Sequence, residues 1–307
     1  MSRALARVEV MVLAALTELP WAQLLVNGLA LGSLYGLTAL GLVLIFKTTD
    51  VVTFAQGEMA MVSTFVAFTL LTALRLPFAV AFVLTLIFAT LLGILIERLI
   101  LRRINPNPIL NPIIVTIGLA LILLGVAGWI WGYETRPFPA PVEGPPFRLG
   151  TVVLSQMNAL ILAVMLLLTA ILFAFFRYSL TGIAMRAVAQ NRLAAQLMGI
   201  NINHVNAMGW GVGTALGAVT GILIAPLNYL DPNMMGDVVL KAFTAAVLGG
   251  FTSLPGAVVG GLLLGIIDSV AGYQVPELRT TIAFVLIVLI LVVRPGGLLG
   301  KHEIKKV

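Results

Sequence analysis

The chain has 307 residues, of which 60% are hydrophobic and 10% are charged, and its formal net charge is +6. Soluble domains carry about 25% charged residues. A core of this size could not bury so much apolar surface, so the composition excludes a soluble globular protein. The chain contains no cysteine, which excludes a disulfide framework and thiolate chemistry.

The N-terminal segment, residues 1–20, combines basic residues with a short apolar run. Arg3 and Arg7 precede the run Val10–Leu16, an order that signal peptides share. An acidic residue stands on either side of the run, and no clear Ala-x-Ala cleavage site follows it. We therefore predict that residues 1–20 form an interfacial helix ahead of the first crossing.

The apolar segments that follow are continuous and do not alternate with a period of two. This pattern predicts an all-α, polytopic membrane protein with about eight to nine transmembrane helices, rather than a β-barrel. Polar Thr53–Glu58 and the short pair 238–251 and 256–273 predict broken, inward-facing helices, because irregular backbone at membrane depth must be buried or face water. The predicted segments are 21–46, 51–74, 78–96, 109–130, 155–176, 207–227, 238–251, 256–273 and 280–293.

Basic residues are concentrated in alternate connections between these segments. Segments 97–108 and 177–206 and the C-terminal tail hold most of the positive charge, whereas the other connections are mixed or acidic. The positive-inside rule places the three basic segments, including the C-terminus, in the cytoplasm. The net charge therefore indicates membrane topology and not a nucleic-acid partner.

Two glycine ladders indicate an internal repeat. Spacing by four residues puts the glycines on one helix face, where a second helix can approach closely. Asp50 follows the first ladder and Asp237 the second at a similar distance, and the charge bias gives the ladders opposite directions. We predict an inverted repeat of residues 21–130 and 207–294 within a single transmembrane domain; the alternative is generic helix packing. The ladder glycines are Gly28, Gly32, Gly36, Gly209, Gly213, Gly217 and Gly221.

Six polar side chains in the apolar segments are candidates for lining a path through the protein, because polar groups in membrane helices are costly and face the interior or water. They are Asn27, Gln56, Glu58, Lys241, Thr244 and Asp268. For the neutral ones the alternative is a hydrogen bond between helices. The charged ones need a partner or a wet cavity, and Lys241 is predicted to pair with an acid. We expect Glu58 near the cytoplasmic mouth and its repeat counterpart, 240–244, near the opposite interface.

Residues 181–200 are too polar to cross a bilayer and are rich in helix-forming residues. Thr181 is a candidate N-cap, and Gly199 can end the helix in the left-handed conformation. The segment therefore predicts a cytoplasmic surface helix. It either lies on anionic lipid or docks a cytoplasmic partner.

Five blocks of the chain match the sequence pattern of a known family. They are NGLALGSLYGLTALGL (27–42), FAQGE (54–58), RAVAQNRLAAQLMGININ (186–203), KAFTAAVLGGFTSLPGAVVGGLLLGIIDS (241–269) and RPGGLLG (294–300). From about residue 21 to the C-terminus the chain resembles the permeases of branched-chain amino acid ABC importers, of the LivH type. The resemblance implies a permease in the cytoplasmic membrane of a bacterium or archaeon that moves hydrophobic amino acids inward. It also implies a second related permease, two cytoplasmic ATPases and an extracytoplasmic binding protein.

The chain has no phosphate-binding GxxxxGK[ST] loop, so it is not expected to be an enzyme or to bind a cofactor, and ATP–Mg would bind the partner ATPases. The resemblance implies that 177–206 is the coupling loop to those ATPases. Thr53 and Gln56 depart from the asparagine and histidine of many members, and glutamine cannot titrate. The residues assigned to coupling are Arg186, Ala189, Gln190, Asn191, Arg192, Gly199 and Ile200.

Two other classes of function remain as alternatives. A proton-driven secondary transporter would use Glu58 and Asp268 as proton carriers. An intramembrane enzyme is disfavoured because both histidines, His204 and His302, lie in cytoplasmic segments and no GxSxG or HExxH motif is present. Leucine, isoleucine and valine are the substrates that the resemblance implies first, but relatives carry other amino acids, amides or urea.

Overall fold

The computed structural model describes residues 20–104, 110–150, 152–294 and 296–300. The predicted N-terminal interfacial helix lies outside these ranges apart from Pro20. Within them the chain forms eleven α-helices and one antiparallel β-hairpin, β1 (Phe147–Leu149) and β2 (Val152–Leu154). The helices are α1 (Trp21–Thr49), α2 (Gln56–Thr72), α3 (Phe78–Leu99), α4 (Leu110–Trp131), α5 (Gln156–Tyr178), α6 (Leu180–Gln190), α7 (Arg192–Leu197), α8 (Ile202–Asn228), α9 (Gly236–Gly249), α10 (Leu254–Gln274) and α11 (Arg279–Val293).

Each of the nine predicted apolar segments contains a helix. Among the described residues seven helices are long and apolar enough to span a membrane: α1, α3, α4, α5, α8, α10 and α11, with α3 and α11 each extended by an adjoining 3-10 turn. The other two, α2 with 17 residues and α9 with 14, are shorter than the roughly 20 residues that a full crossing needs. The prediction that 256–273 is also short is wrong, because α10 has 21 residues.

Helices α1 and α8 form the centre of the protein, and six of the seven ladder glycines lie at close helix contacts, Gly36 being the exception. A Cβ atom built on Gly28 would lie 2.7 Å from the Ile266 Cα of α10. On α8, Gly209 faces Thr48, and a Cβ atom on Gly213 would lie 2.7 Å from the Ile45 side chain. The ladder glycines therefore let the backbone of one helix come close to the backbone or to a packed side chain of the next helix, as small residues do in membrane proteins.

The two ladder helices run in opposite directions. Going from Gly209 to Gly213 along α8, the facing residue of α1 changes from Thr48 back to Ile45. Helix α1 also packs on α9 and α10, and α8 packs in the same way on α2 and α3. Opposite directions and matching packing are what an inverted repeat requires. The repeat boundaries, 21–130 and 207–294, stay a prediction.

The three basic segments meet at one end of the helix bundle, which we call the basic end. Arg102 donates to the Asn203 carbonyl at 3.0 Å, joining 97–104 to the start of α8. Lys47, at the end of α1, donates to the Thr252 carbonyl at 3.0 Å. The Leu299 amide donates to the Gly249 carbonyl at 3.0 Å, which brings 296–300 to the same place. The β-hairpin lies at the other end, where the Val153 amide donates to the Gln23 side chain at 2.7 Å.

The predicted single helix at 181–200 is two helices, and its predicted cap is wrong. Helix α6 is capped by Ser179, whose Oγ accepts from the Gly182 amide at 2.9 Å, two residues before the expected Thr181 cap. Helix α6 ends at Gln190, and the Asn191 side chain accepts from the Ala194 amide at 2.9 Å to start α7. Serine and asparagine favour capping over helix interiors because their side chains bond the free backbone amides. Gly199 has φ +84°, the left-handed conformation predicted for it.

Candidate functional site

Lys241 lies inside the protein with 2% of its side chain exposed, and acids contact it from two helices. Its Nζ is 2.7 Å from the carboxylate of Asp237, one turn earlier on α9. The same Nζ is 3.1 Å from Asp268 Oδ1 on α10, an ion pair rather than an aligned hydrogen bond. The sequence predicted one acidic partner for this lysine, and the structure supplies two.

Asp268 connects Lys241 to two further helices. Its Oδ2 accepts from Arg279 Nη2 at 2.5 Å and from the Tyr35 hydroxyl at 2.8 Å. The Lys241 ammonium also lies 5.6 Å from the centre of the Tyr35 ring, a cation–π contact. We call these five residues, from α1, α9, α10 and α11, the charge network. Its two acids and two bases balance in charge. Lys241 and Asp268 are buried, whereas the side chains of Asp237 and Arg279 are 53% and 37% exposed.

Gln56 begins α2 and is buried between the two ladder helices. Its Nε2 donates to the Gly213 carbonyl at 2.8 Å, and it lies against Gly41 and Gly217. Its Oε1 is buried and has no hydrogen-bond partner among the described residues. Gly41 lies eight residues before the end of α1, about 12 Å along the helix axis from the basic end and about 30 Å from the other end, so Gln56 is inside the bundle and nearer the basic end.

Glu58 lies at about the same depth inside the bundle, and its place near the cytoplasmic mouth stays a prediction. A Cβ atom on the adjacent Gly57 would meet the Val239 side chain of α9 at 2.8 Å. Val239 is ten residues, or about 15 Å, before the end of α9 at the basic end. Residues 50–55 run back into the bundle without helix before α2 begins. Hydropathy shows that a segment is apolar, but it does not show how far the segment runs back into the helix bundle.

The two broken segments contact each other inside the bundle instead of lying at opposite interfaces. The Phe54 ring stacks on the Phe243 ring of α9 with 6.3 Å between centroids. Gly57 contacts Met235 and Val239 at the start of the same helix. The starts of α2 and α9 therefore form one contact between the two halves of the chain.

The six candidate path residues are not brought together at one point. Lys241 and Asp268 are in the charge network, and Gln56 and Glu58 are at the start of α2. Asn27 is near the hairpin end, where it accepts from Gln23 at 3.1 Å and from Asn158 at 3.4 Å. Thr244 donates to the Leu240 carbonyl of its own helix at 2.9 Å.

Sequence reasoning missed three members of the charge network as site residues. Tyr35 lies within the first glycine ladder, and Asp237 served only as a marker of the repeat. Arg279 precedes an apolar segment, where a charge normally indicates a membrane interface. The one available signal was the spacing of Asp237 and Lys241, four residues apart on a helix. Within the described ranges, no three His, Asp or Glu side chains are grouped as metal ligands would be.

Helices α6 and α7 form an anchored platform with an exposed apolar face at the basic end. Buried Met185 and Val188 hold α6 against the bundle, and Ala195 holds α7. Arg192 lies 3.9 Å from the Asp50 carboxylate, beside the end of α1. The large exposed apolar side chains of α7 and its end are Leu193, Leu197 and Met198. Of the residues assigned to coupling, Arg186, Gln190, Asn191, Arg192 and Gly199 are exposed and Ala189 and Ile200 are half-buried.

Comparison with known proteins gives one family. The family described as "Branched-chain amino acid transport system / permease component" matches residues 24–293. The permease protein LivH of the high-affinity branched-chain amino acid transport system of Escherichia coli (strain K12) is 34% identical over 300 residues, covering 93% of this chain and 97% of LivH. The corresponding protein BraD of Pseudomonas aeruginosa is 34% identical over 299 residues, with the same two coverages.

Among solved structures, PsaBC from Streptococcus pneumoniae in complex with Fab aligns with 92% of this chain and 95% of that one. The TM-score is 0.47 and the sequence identity 16%. The family assignment rests on the profile match and on the two sequence relatives. The chain belongs to the family of branched-chain amino acid transport system permeases.

Proposed function

We propose that this chain is the permease subunit of an ABC importer that moves branched-chain amino acids inward across the cytoplasmic membrane. The family match over residues 24–293 carries the proposal. The seven membrane-spanning candidates are consistent with it. The proposed partners are a second related permease, two ATPases at the basic end and an extracytoplasmic amino-acid-binding protein. With no GxxxxGK[ST] loop in the chain, ATP–Mg binds those ATPases.

In the proposed mechanism, the ATPases dock on the platform of α6 and α7 and move it when ATP binds. The platform packs on α8 and α1, so movement there reaches the two central helices. The two halves of the chain then move relative to each other about the contact between α2 and α9. This movement opens the path first to one side of the membrane and then to the other. The basic end, and the C-terminus with it, faces the cytoplasm in this proposal.

Leu197→Glu is expected to reduce ATP-dependent uptake at least severalfold and to leave thermal stability unchanged. Leu197 is 79% exposed, so it contributes little to the fold but offers apolar surface to a docking partner. Uptake in proteoliposomes, ATP hydrolysis and the unfolding temperature would be measured together. Gln196→Glu places the same charge one residue earlier without removing apolar surface and should retain more uptake. Equal loss in both variants would contradict an apolar contact.

Glu58→Gln is expected to impair uptake modestly. Glu58 is half-buried within the helix bundle, and glutamine keeps its shape and hydrogen-bonding capacity while removing the charge. The measurement is the initial rate of uptake, normalised to the amount of assembled complex. Complete loss with normal expression and assembly would show instead that the charge itself is essential.

The proposed function is tested by reconstitution in proteoliposomes. Uptake of radiolabelled leucine that requires the ATPases, the binding protein and ATP is the expected result. Uptake by the lone chain under an imposed proton gradient, without ATP, would support a proton-driven secondary transporter instead. Ligand screening of the binding protein by thermal shift then identifies the substrate, because a ligand stabilises the protein that binds it.

A further inference from the structure

Asp237 and Arg279 are the two exposed charges of the charge network, and they lie within the membrane-spanning part of the protein. Asp237 is twelve residues before the end of α9, about 18 Å along the helix axis from the basic end. Arg279 begins α11 and contacts Asp268 of α10, and both helices are spanning candidates. A charged side chain at such a depth is costly when it faces lipid, so charges there face the protein interior or water. The exposed ends of the network therefore indicate an aqueous path.

Both exposed side chains have bonding capacity that their neighbours in the protein do not use. The Asp237 carboxylate contacts Lys241 through Oδ2, and its Oδ1 accepts from the Thr280 hydroxyl at 3.3 Å, which is long for such a bond. Arg279 donates to Asp268 through Nη2, and its Nε has no acceptor among the described residues. A guanidinium group carries five N–H donors, and an ionised carboxylate has about four acceptor positions. Asp237 can therefore accept from a further cation, and Arg279 can donate to a further anion.

The four charges form a series of alternating sign, from Asp237 to Lys241, Asp268 and Arg279. Neighbouring members lie 2.7, 3.1 and 2.5 Å apart in that order. The two ends of the series are also near each other, because Thr280, the residue after Arg279, reaches Asp237. A ligand with an ammonium group beside Asp237 and a carboxylate beside Arg279 would close the series into a ring. In that ring each charge has neighbours of opposite sign, which attract it.

An α-amino acid is the class of ligand that fits these two ends, because its ammonium and carboxylate groups are bonded to the same carbon atom. It carries no net charge, so it leaves the charge balance of the network unchanged. An uncharged amide or urea offers no charge to either end. A lone amine or a lone carboxylate would add an uncompensated charge inside the protein. The network therefore favours amino acids among the substrates that the sequence left open.

We propose that Asp237 and Arg279 form a substrate site in the path, where Asp237 binds the α-ammonium group of the amino acid and Arg279 binds its α-carboxylate group. Lys241 and Asp268 are positioning residues that hold the two ends of the series in place. The proposal rests on the proposed function for the nature of the cargo. It adds the place where the cargo binds and the groups that are recognised. Its test needs neither ATP nor uptake, so failure of this site is distinguishable from failure of the proposed transport mechanism.

The test is protection of an introduced thiol, which has no background in this chain because the sequence contains no cysteine. Thr280→Cys places the thiol beside Asp237. The control, Thr281→Cys, places it one residue later, where Phe284 and Val285 form an apolar groove with it. The importer with its partner subunits is held in lipid nanodiscs without nucleotide and treated with a charged methanethiosulfonate reagent, which reacts with thiolates. Mass spectrometry follows labelling of this chain in the presence of leucine, leucinamide or isocaproate.

We expect the reagent to label Thr280→Cys and leucine to slow that labelling severalfold. Leucinamide lacks the carboxylate and isocaproate lacks the ammonium group, so each should protect several times less than leucine. Thr281→Cys should react more slowly, and leucine should not change its rate, because the thiol faces apolar surroundings. This comparison of probes is made on the two single variants and does not depend on any change to the charge network.

Two further substitutions, each added to Thr280→Cys, test the assigned groups. Asp237→Asn and Arg279→Lys should both reduce the protection by leucine severalfold while the thiol stays reactive. Arg279→Lys keeps the positive charge opposite Asp268 but removes the planar fork that binds a carboxylate through two N–H groups. The unfolding midpoints of both variants are measured alongside, so that lost protection is not confused with lost structure.

Four outcomes would overturn the proposal. Absence of labelling at Thr280→Cys would show that this part of the network does not face water. Labelling that leucine does not slow would show that no amino acid binds there. Equal protection by leucine and either analogue would exclude recognition of the missing group. Full protection in both Asp237→Asn and Arg279→Lys would place the amino acid elsewhere.

Discussion

Asp268→Asn is expected to lower the free energy of unfolding by about 3–5 kcal/mol, as removal of one member of a buried ion pair does. Asp268 is 3% exposed, and its carboxylate is shared by the bases Lys241 and Arg279. Asparagine keeps the shape but not the charge, so the network is left with a net positive charge inside the protein. The measurement is the thermal unfolding midpoint of the purified chain in detergent.

A matched control and a second substitution separate the charge from the shape. Asp50→Asn makes the same change at an exposed carboxylate 3.9 Å from Arg192, where the expected cost is below about 1 kcal/mol. Adding Lys241→Met to Asp268→Asn leaves Asp237 and Arg279, whose charges balance, and should recover part of the lost stability. A wild-type midpoint for Asp268→Asn would contradict this expectation and would mean that Asp237, 2.7 Å from the same Nζ, pairs Lys241 sufficiently on its own.

Asp268 and Glu58, the two acids that a proton-driven transporter would use, have different environments. The two oxygens of Asp268 face Lys241 on one side and Arg279 and Tyr35 on the other. Glu58 has no positively charged partner among the described residues. The sequence treats the two acids alike, whereas the structure makes only Asp268 part of an ion-pair network.

The helices could be predicted from the sequence because hydropathy reports them directly. The depth of α2 could not, because a run such as Val51–Leu74 is equally apolar whether its first residues cross the bilayer or re-enter the protein. The opposite directions of the glycine ladders were predictable, since the positive-inside rule fixes direction from loop charge alone. The division of 181–200 into two helices depended on a local competition: Asn191 caps α7 instead of continuing α6.

The acid partners of Lys241 were predictable in kind but not in identity. The cost of burying an ammonium group requires an acid, whichever helix supplies it. Asp268 contacts Lys241, and Tyr35 joins the charge network, because α1 and α10 pack closely. That close packing depends on glycines on both helices. Sequence reasoning found Gly28 and Gly32 but not their facing residues, Gly261 and Gly265.

Gly32→Ala is expected to destabilise the chain by about 1–3 kcal/mol through overpacking of α1 against α10. A Cβ atom on Gly32 would lie 2.6 Å from the Gly261 carbonyl oxygen and 2.8 Å from the Leu262 Cα. Both are backbone atoms, so no side chain can rotate away and one helix must shift. Such a shift would also displace Tyr35 and Asp268, which link the same two helices, by their 2.8 Å hydrogen bond.

Gly36→Ala is the control, because it makes the same change one turn further along the same ladder. There the nearest atom to the new Cβ is the Val258 carbonyl oxygen at 3.5 Å, an ordinary van der Waals distance. Alanine favours helix over glycine by about 1 kcal/mol, so Gly36→Ala should be neutral or stabilising. Thermal midpoints of the two variants in detergent test the difference. A lower midpoint for Gly32→Ala alone would show that α1 and α10 need a residue without a side chain at Gly32 to approach closely. Equal midpoints would contradict this role of the first ladder.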